Sequence, residues 1–134
     1  MKKMLLLTVL MVMFFVPALA LAGEVVGTVQ GLQCVTTGKT CPIGKEDPVI
    51  AAERVFVVLA ADGDYFFVPN LDRAIMARNI TEQVKVAGVI NKKYRSITAK
   101  TFQVMQDDGK WKTTWSEEIE NEMLEELYSS SGGK

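Results

Sequence analysis

The sequence predicts a mainly β protein: a small five-stranded Greek-key barrel, with a helix between its third and fourth strands and an amphipathic helix at its C-terminus. Three observations predict it. Short β-rich runs recur along the chain, each bounded by Gly, Pro, Asn or Asp. The first run is long and carries internal glycines, as a strongly coiled first barrel strand would. A helical segment falls between the third and fourth runs.

The elements follow in order. Gly23 to Thr36 reads as the first strand. Val26, Thr28, Gln30 and Leu32 share one face; Val25, Gly27, Val29 and Gly31 share the other. Residues 37 to 53 form a long connection with Gly38, Pro42, Gly44 and Pro48. Within it Asp47-Pro48 looks like an N-cap followed by Pro at the first helical position, with a turn or two over Val49 to Arg54. Val55 to Ala60 is an apolar strand. Asp62-Gly63 is a favoured hairpin dipeptide, and Tyr65 to Val68 is the returning strand, ended by Pro69. Asn70 is a fair N-cap for a helix from Leu71 to Arg78 or Asn79. Thr81 to Asn91 alternates as a strand, and Lys92-Lys93-Tyr94-Arg95 makes a basic loop. Ser96 to Met105 is the next strand, Asp107-Asp108-Gly109 turns the chain, and Trp111 to Trp115 returns as a short extra strand. Ser116 then caps a helix with Glu117 and Glu118 in its first turn. Ile119, Met123, Leu124, Leu127 and Tyr128 recur at helical spacing, opposite Glu118, Glu122, Glu125 and Glu126. This stripe is expected to lie on the barrel, in a groove formed by Trp111 and Trp115. Docking to a partner is its alternative.

The 134 residues are 49% hydrophobic and 23% charged, a globular balance. Residues 1–22 stand apart. Lys2 and Lys3 precede an uncharged apolar run, Pro17 breaks it, and Ala18, Ala20 and Ala22 offer small-residue cleavage sites. A signal peptide over 1–22, cut after Ala22, is expected. An uncleaved anchor is the alternative, and no stable membrane anchor is expected after cleavage. The chain then divides into a barrel domain at 23–115, an acidic helix at 116–128 and a disordered tail at 129–134. Localisation follows: exported, and periplasmic if the host is Gram-negative, otherwise secreted.

Cys34 and Cys41 are the only cysteines. In an oxidising compartment they are expected to form a structural disulfide around Gly38, contributing about 2.5 kcal/mol in the chain-entropy model. Six intervening residues are not the two of a thioredoxin-like pair.

The strand, loop, strand, hairpin, strand, helix, strand, loop, strand order is the OB-fold arrangement. A small sandwich or an SH3-like barrel is the alternative. Val25-Val26-Gly27-Thr28-Val29 and Val84-Lys85-Val86-Ala87-Gly88-Val89, with Ile97-Thr98-Ala99, resemble the exported bacterial OB-fold (BOF) proteins, whose opening strand reads V-x-G-x-V and whose fourth strand reads V-x-V-x-G-x-V. The resemblance covers about two-thirds of the chain beyond the leader. The Cys pair, the hairpin with Trp111 and Trp115, and the acidic helix lie outside it. It implies an exported stress- or envelope-associated binding module, not a reaction.

On such a barrel the candidate ligand-binding residues are Tyr65, Phe67, Lys92, Lys93, Tyr94 and Arg95. An aromatic ring would stack a ring or a sugar, while Lys93 and Arg95 pair an anionic group. The bland alternative is core aromatics beside a solvated loop. With no histidine in the chain, His-based triads and His-ligated metals are excluded. The Asp-Gly pairs serve turns, and no phosphate-loop spacing is present. No catalytic residue, metal or cofactor is expected. An acidic exported chain is a poor nucleic-acid binder, and none is expected. The expected function is a non-enzymatic binding module for a protein partner or a small anionic or sugar-like ligand of the cell envelope. A structural accessory subunit of an envelope complex is the alternative, and an enzyme is disfavoured.

Overall fold

The computed structural model describes residues 22–131. The chain order is β1 (Ala22–Gly31), α1 (Leu32–Thr36), α2 (Glu46–Ala52), β2 (Phe56–Ala60), β3 (Tyr65–Phe66), α3 (Arg73–Arg78), β4 (Gln83–Asn91), a 3₁₀ turn (Lys92–Tyr94), β5 (Ser96–Met105), β6 (Trp111–Ser116) and α4 (Glu117–Ser131). The protein is mainly β. Six strands form one open antiparallel sheet in the order β3-β2-β1-β4-β5-β6. Two parallel bridges supplement it, Val29 with Ile80 and Phe67 with Ser96. The second joins the chain just beyond β3 to the start of β5, through Phe67 N–H to the Arg95 carbonyl and Ile97 N–H to the Phe67 carbonyl, both 2.8 Å.

Alternation puts one face of the sheet inside. Val29, Val58, Val84, Val86, Ile97 and Phe102 are fully buried on it, while Val57, beside Gln30, is buried on the other face. Along β5 the inward set changes parity, from Ile97 and Ala99 to Phe102 and Val104. A β-bulge produces the change: Ala87 faces Thr101 while Gly88 faces Ala99, leaving Lys100 between them. Gly88 makes this possible. A Cβ there would lie 2.0 Å from the Thr98 carbonyl oxygen. Gly27 allows a similarly close approach to β2 in regular register, where a Cβ would lie 2.2 Å from the Leu59 carbonyl oxygen.

Several expectations are corrected. The first strand ends at Gly31, not Thr36, because Leu32 to Thr36 winds into α1. Two hydroxyls hold that turn: Thr36 Oγ1 donates to the Leu32 carbonyl, and Thr37 Oγ1 to the Gln33 carbonyl. The helix expected at Val49 starts earlier, at Glu46, so Pro48 sits in its third position. Asn70 is not an N-cap. Its amide bridges to Ala99, accepting from the N–H at 2.8 Å and donating to the carbonyl at 2.7 Å. Asp72 caps α3 instead, through Ala74 N–H. β3 is shorter than expected, two residues rather than four.

The C-terminal helix starts where Ser116 predicts, with Ser116 Oγ accepting from Ile119 N–H. Its expected packing on the sheet is not observed. Ile119, Met123, Leu124, Leu127 and Tyr128 are all exposed, and Trp115, expected to line their groove, is buried in the core. Ser129 to Ser131 continue the helix rather than forming a disordered tail. The expected leader lies outside the described residues except for Ala22, which opens β1 opposite Val89.

Candidate binding surface

Tyr65 and Phe67 alternate with Phe66, so they leave the sheet on one side while Phe66 packs against the core. Their rings meet edge to face, with centroids 5.8 Å apart. The Phe67–Ser96 bridge then brings Arg95 alongside. The Arg95 guanidinium carbon lies 5.2 Å from the Tyr65 ring centroid. Arg95 is held there by a left-handed backbone (φ 48°) that ends the 3₁₀ turn. That turn is braced by Asn91, whose Oδ1 accepts from Tyr94 N–H at 3.3 Å.

The structure therefore brings Tyr65, Phe67 and Arg95 together. Lys93 instead stands over the Tyr94 ring, 5.2 Å from its centroid, and Lys92 is exposed. Among the described residues none of these three cations forms an ion pair; the pairs present are Lys85–Glu24 and Lys110–Asp108. The turn is therefore locally cationic on an acidic chain, with two half-buried aromatic rings at its base.

The cysteines form a second cluster. Cys34 Sγ and Cys41 Sγ are 3.5 Å apart and both thiols are free, so the expected disulfide is not formed. A bond needs about 2.05 Å. Cys34 is carried on α1 and Cys41 on the returning loop, where buried Gln30 holds it: Gln30 Oε1 accepts from Cys41 N–H at 2.7 Å. Gly31 N–H donates to Cys41 Sγ at 3.2 Å. Burial first, then the hydrogen bond with Cys41 and the charges of Cys41 and Glu53, push the Cys34 thiol up from its ordinary value; Lys39 opposes them. Such a thiol is a weak nucleophile at neutral pH.

A third cluster was not visible in the sequence. Glu53 is 7% exposed and accepts three backbone N–H groups: Gln33 at 3.0 Å, Arg54 at 2.9 Å and Val55 at 3.1 Å. Gln33 lies in the first turn of α1, so Glu53 caps that helix from outside. Arg73 takes the C-terminal end of α2, donating to the carbonyls of Ile50 and Glu53 with its guanidinium 5.3 Å from the Phe56 ring centroid. A surface cavity of about 450 Å³ opens beside Asp47, Arg54 and Arg73. Arg73 is already committed to main-chain carbonyls and Glu53 to main-chain N–H groups, so this clasp joins the long connection to the sheet. No spacing signal marks it in the sequence.

Asp62 and Asp108 serve their turns, accepting from Asp64 N–H and Lys110 N–H. Among the described residues no group of three or more Cys, Asp or Glu side chains is placed to hold a metal ion. No described helix is long and apolar enough to cross a membrane.

No family model matches this chain, and no curated protein and no solved structure matches it.

Proposed function

We propose that this protein is an exported, non-enzymatic binding module built on an OB-like barrel, and that it takes a small anionic or sugar-like ligand at the Tyr65–Phe67–Arg95 cluster. The single observation carrying the reading is Arg95 stacked on Tyr65 beside Phe67, at a turn where Lys92 and Lys93 add unneutralised charge. A ring stacks on such aromatics, and a guanidinium pairs a phosphate, sulfate or carboxylate in two-point fashion.

The barrel reading is supported by the strand order, by α3 lying between β3 and β4, and by the parallel Phe67–Ser96 bridge across the seam from β3 to β5. Export is supported by the leader pattern of residues 1–22 and by the resemblance to exported bacterial OB-fold proteins. In an oxidising compartment Cys34 and Cys41 would close into a disulfide, and their 3.5 Å separation leaves a short distance to cover. A binding role rather than catalysis fits the absence of histidine from the sequence and the protonated state that burial favours at Cys34.

The test is a two-dimensional NMR titration with sugar phosphates and sulfated sugars. Shifts confined to Tyr65, Phe67 and residues 92–95, lost in a Lys93→Glu/Arg95→Glu variant with unchanged melting, are the expected result. Shifts that persist in that variant would move the site elsewhere. A variant that fails to fold would make the turn structural.

A second reading, an accessory subunit of an envelope complex, is favoured by one observation: the apolar stripe of α4 is exposed.

A further inference from the structure

α4 is tied to the rest of the chain at its start. Ser116 caps it, and Trp115 Nε1 donates to Glu120 Oε2 at 3.1 Å. No residue from Glu117 to Ser130 is buried. Fifteen residues make a rod about 22 Å long. A lone helix of that length is marginal in water, and helices in proteins ordinarily owe their stability to a buried face.

The composition of this helix makes the shortage worse. Glu118, Glu122 and Glu126 succeed one another at intervals of four, with Glu125 beside them, and the helix has no Lys or Arg. Like charges at that spacing cost about 0.2–0.5 kcal/mol per pair. Glu125 and Glu126 also approach the negative end of the helix dipole. Ile119, Met123 and Leu127 form a second row at the same interval, 47%, 58% and 63% exposed, with Leu124 next to it. The acidic row lies one position, about 100° of helix turn, from this row, so it flanks Ile119, Met123 and Leu127 although it is opposite Leu124 and Tyr128. Whatever covers it must supply apolar surface and positive charge together.

That requirement selects among occupants. A second copy laid helix against helix would bring two glutamate rows together. An anionic bilayer would be repelled by the same row. A cationic amphipathic segment satisfies both requirements, with its apolar face on Met123 and Leu127 and its Lys or Arg beside Glu122 and Glu126. We propose that α4 is a docking helix for a cationic amphipathic segment of a protein partner. The inference rests on the accessory-subunit reading and names the chemistry of the partner.

The test uses the full chain and a fluorescent 18-residue Leu/Lys amphipathic peptide, with a Leu/Glu peptide of identical pattern as control. The expected result is saturable binding of the Leu/Lys peptide only. A Met123→Ser/Leu127→Ser variant should weaken it at least tenfold, and Glu122→Gln/Glu126→Gln should weaken it severalfold and flatten its salt dependence. All four positions are exposed, so both variants should melt with the parent. Three results would overturn the proposal: equal binding by the serine variant, sedimentation showing a dimer that the serine variant dissolves, or binding to phosphatidylglycerol vesicles that exceeds binding to the peptide. A stoichiometric complex with an envelope protein that survives the serine substitutions would keep the accessory reading and remove α4 from it. No complex and no peptide binding would remove both.

Discussion

Replacing Glu53 should uncouple the long connection from the sheet. Its carboxylate accepts from Gln33, Arg54 and Val55 N–H groups. Hydrogen bonds to a charged group contribute about 1.5–3 kcal/mol each where no replacement is available. Gln33 and Arg54 are exposed residues and Val55 is 39% exposed, so water can reach the freed donors. That discount brings each bond to about 1 kcal/mol, within the range for ordinary hydrogen bonds. Glu53→Ala should therefore cost about 3 kcal/mol, or roughly 13 °C in melting temperature for a domain of this size. Glu53→Gln keeps one acceptor oxygen but turns an NH₂ toward a backbone donor, so about half that loss is expected. Thermal and urea unfolding followed by circular dichroism give the magnitudes, and hydrogen exchange at the Gln33 amide gives the location. A Glu53→Ala protein melting within about 2 °C of the parent, with Gln33 protection unchanged, would refute the assignment of Glu53 as the external cap of α1.

Three further expectations concern packing and redox state. Gly88→Ala should cost more than about 3 kcal/mol, because the new methyl meets the Thr98 carbonyl at 2.0 Å and both partners are backbone; a variant unfolding at the parental urea midpoint would show that the bulge can relax. The reduced protein should react with iodoacetamide at Cys34 more slowly than a free thiol at pH 8, since its raised pKa leaves less thiolate. By the same sign, the dithiol form is favoured below the ordinary thiol value of 9.0 and should lose stability as pH climbs through the raised value, whereas the oxidised form carries no such titration. Equal pH dependence of the two forms would contradict that account.

Much of the sheet was legible because its signals are local. Alternation in Gln83–Asn91 and Ser96–Met105 marks β4 and β5, and Asp62-Gly63 marks the β2–β3 hairpin. The alternation of Tyr65 and Phe67 about Phe66 separates the rings by face, but which face turns inward is decided by the packing of Phe66 on the core. Where the reading failed, a distant partner had overridden a local preference. Leu32 to Thr36 reads as strand, but its helical turn is capped by a carboxylate twenty residues away in sequence. Asn70 has the right chemistry for a cap, but Ala99 claims its amide. The stripe of α4 is correct in its periodicity, and periodicity says nothing about which surface answers it. Of the six proposed binding residues, Arg95 reaches Tyr65 only through the Phe67–Ser96 bridge, a pairing that no spacing rule reveals.

The position of β1 has a consequence for the order of events in the life of the chain. It is the first strand in sequence, yet it lies between β2 and β4 in the sheet. β2 follows within a few tens of residues, but β4 is complete only at Asn91. At ordinary synthesis rates the ribosome needs about 3–12 s to travel from Gly31 to Asn91. During that interval one edge of β1 stays open and Val25 and Val29 lack half of their cover. Cys34, three residues beyond β1, enters the same waiting period as an accessible thiol. A holding chaperone therefore has most to protect at that stage, before the inner sheet is complete.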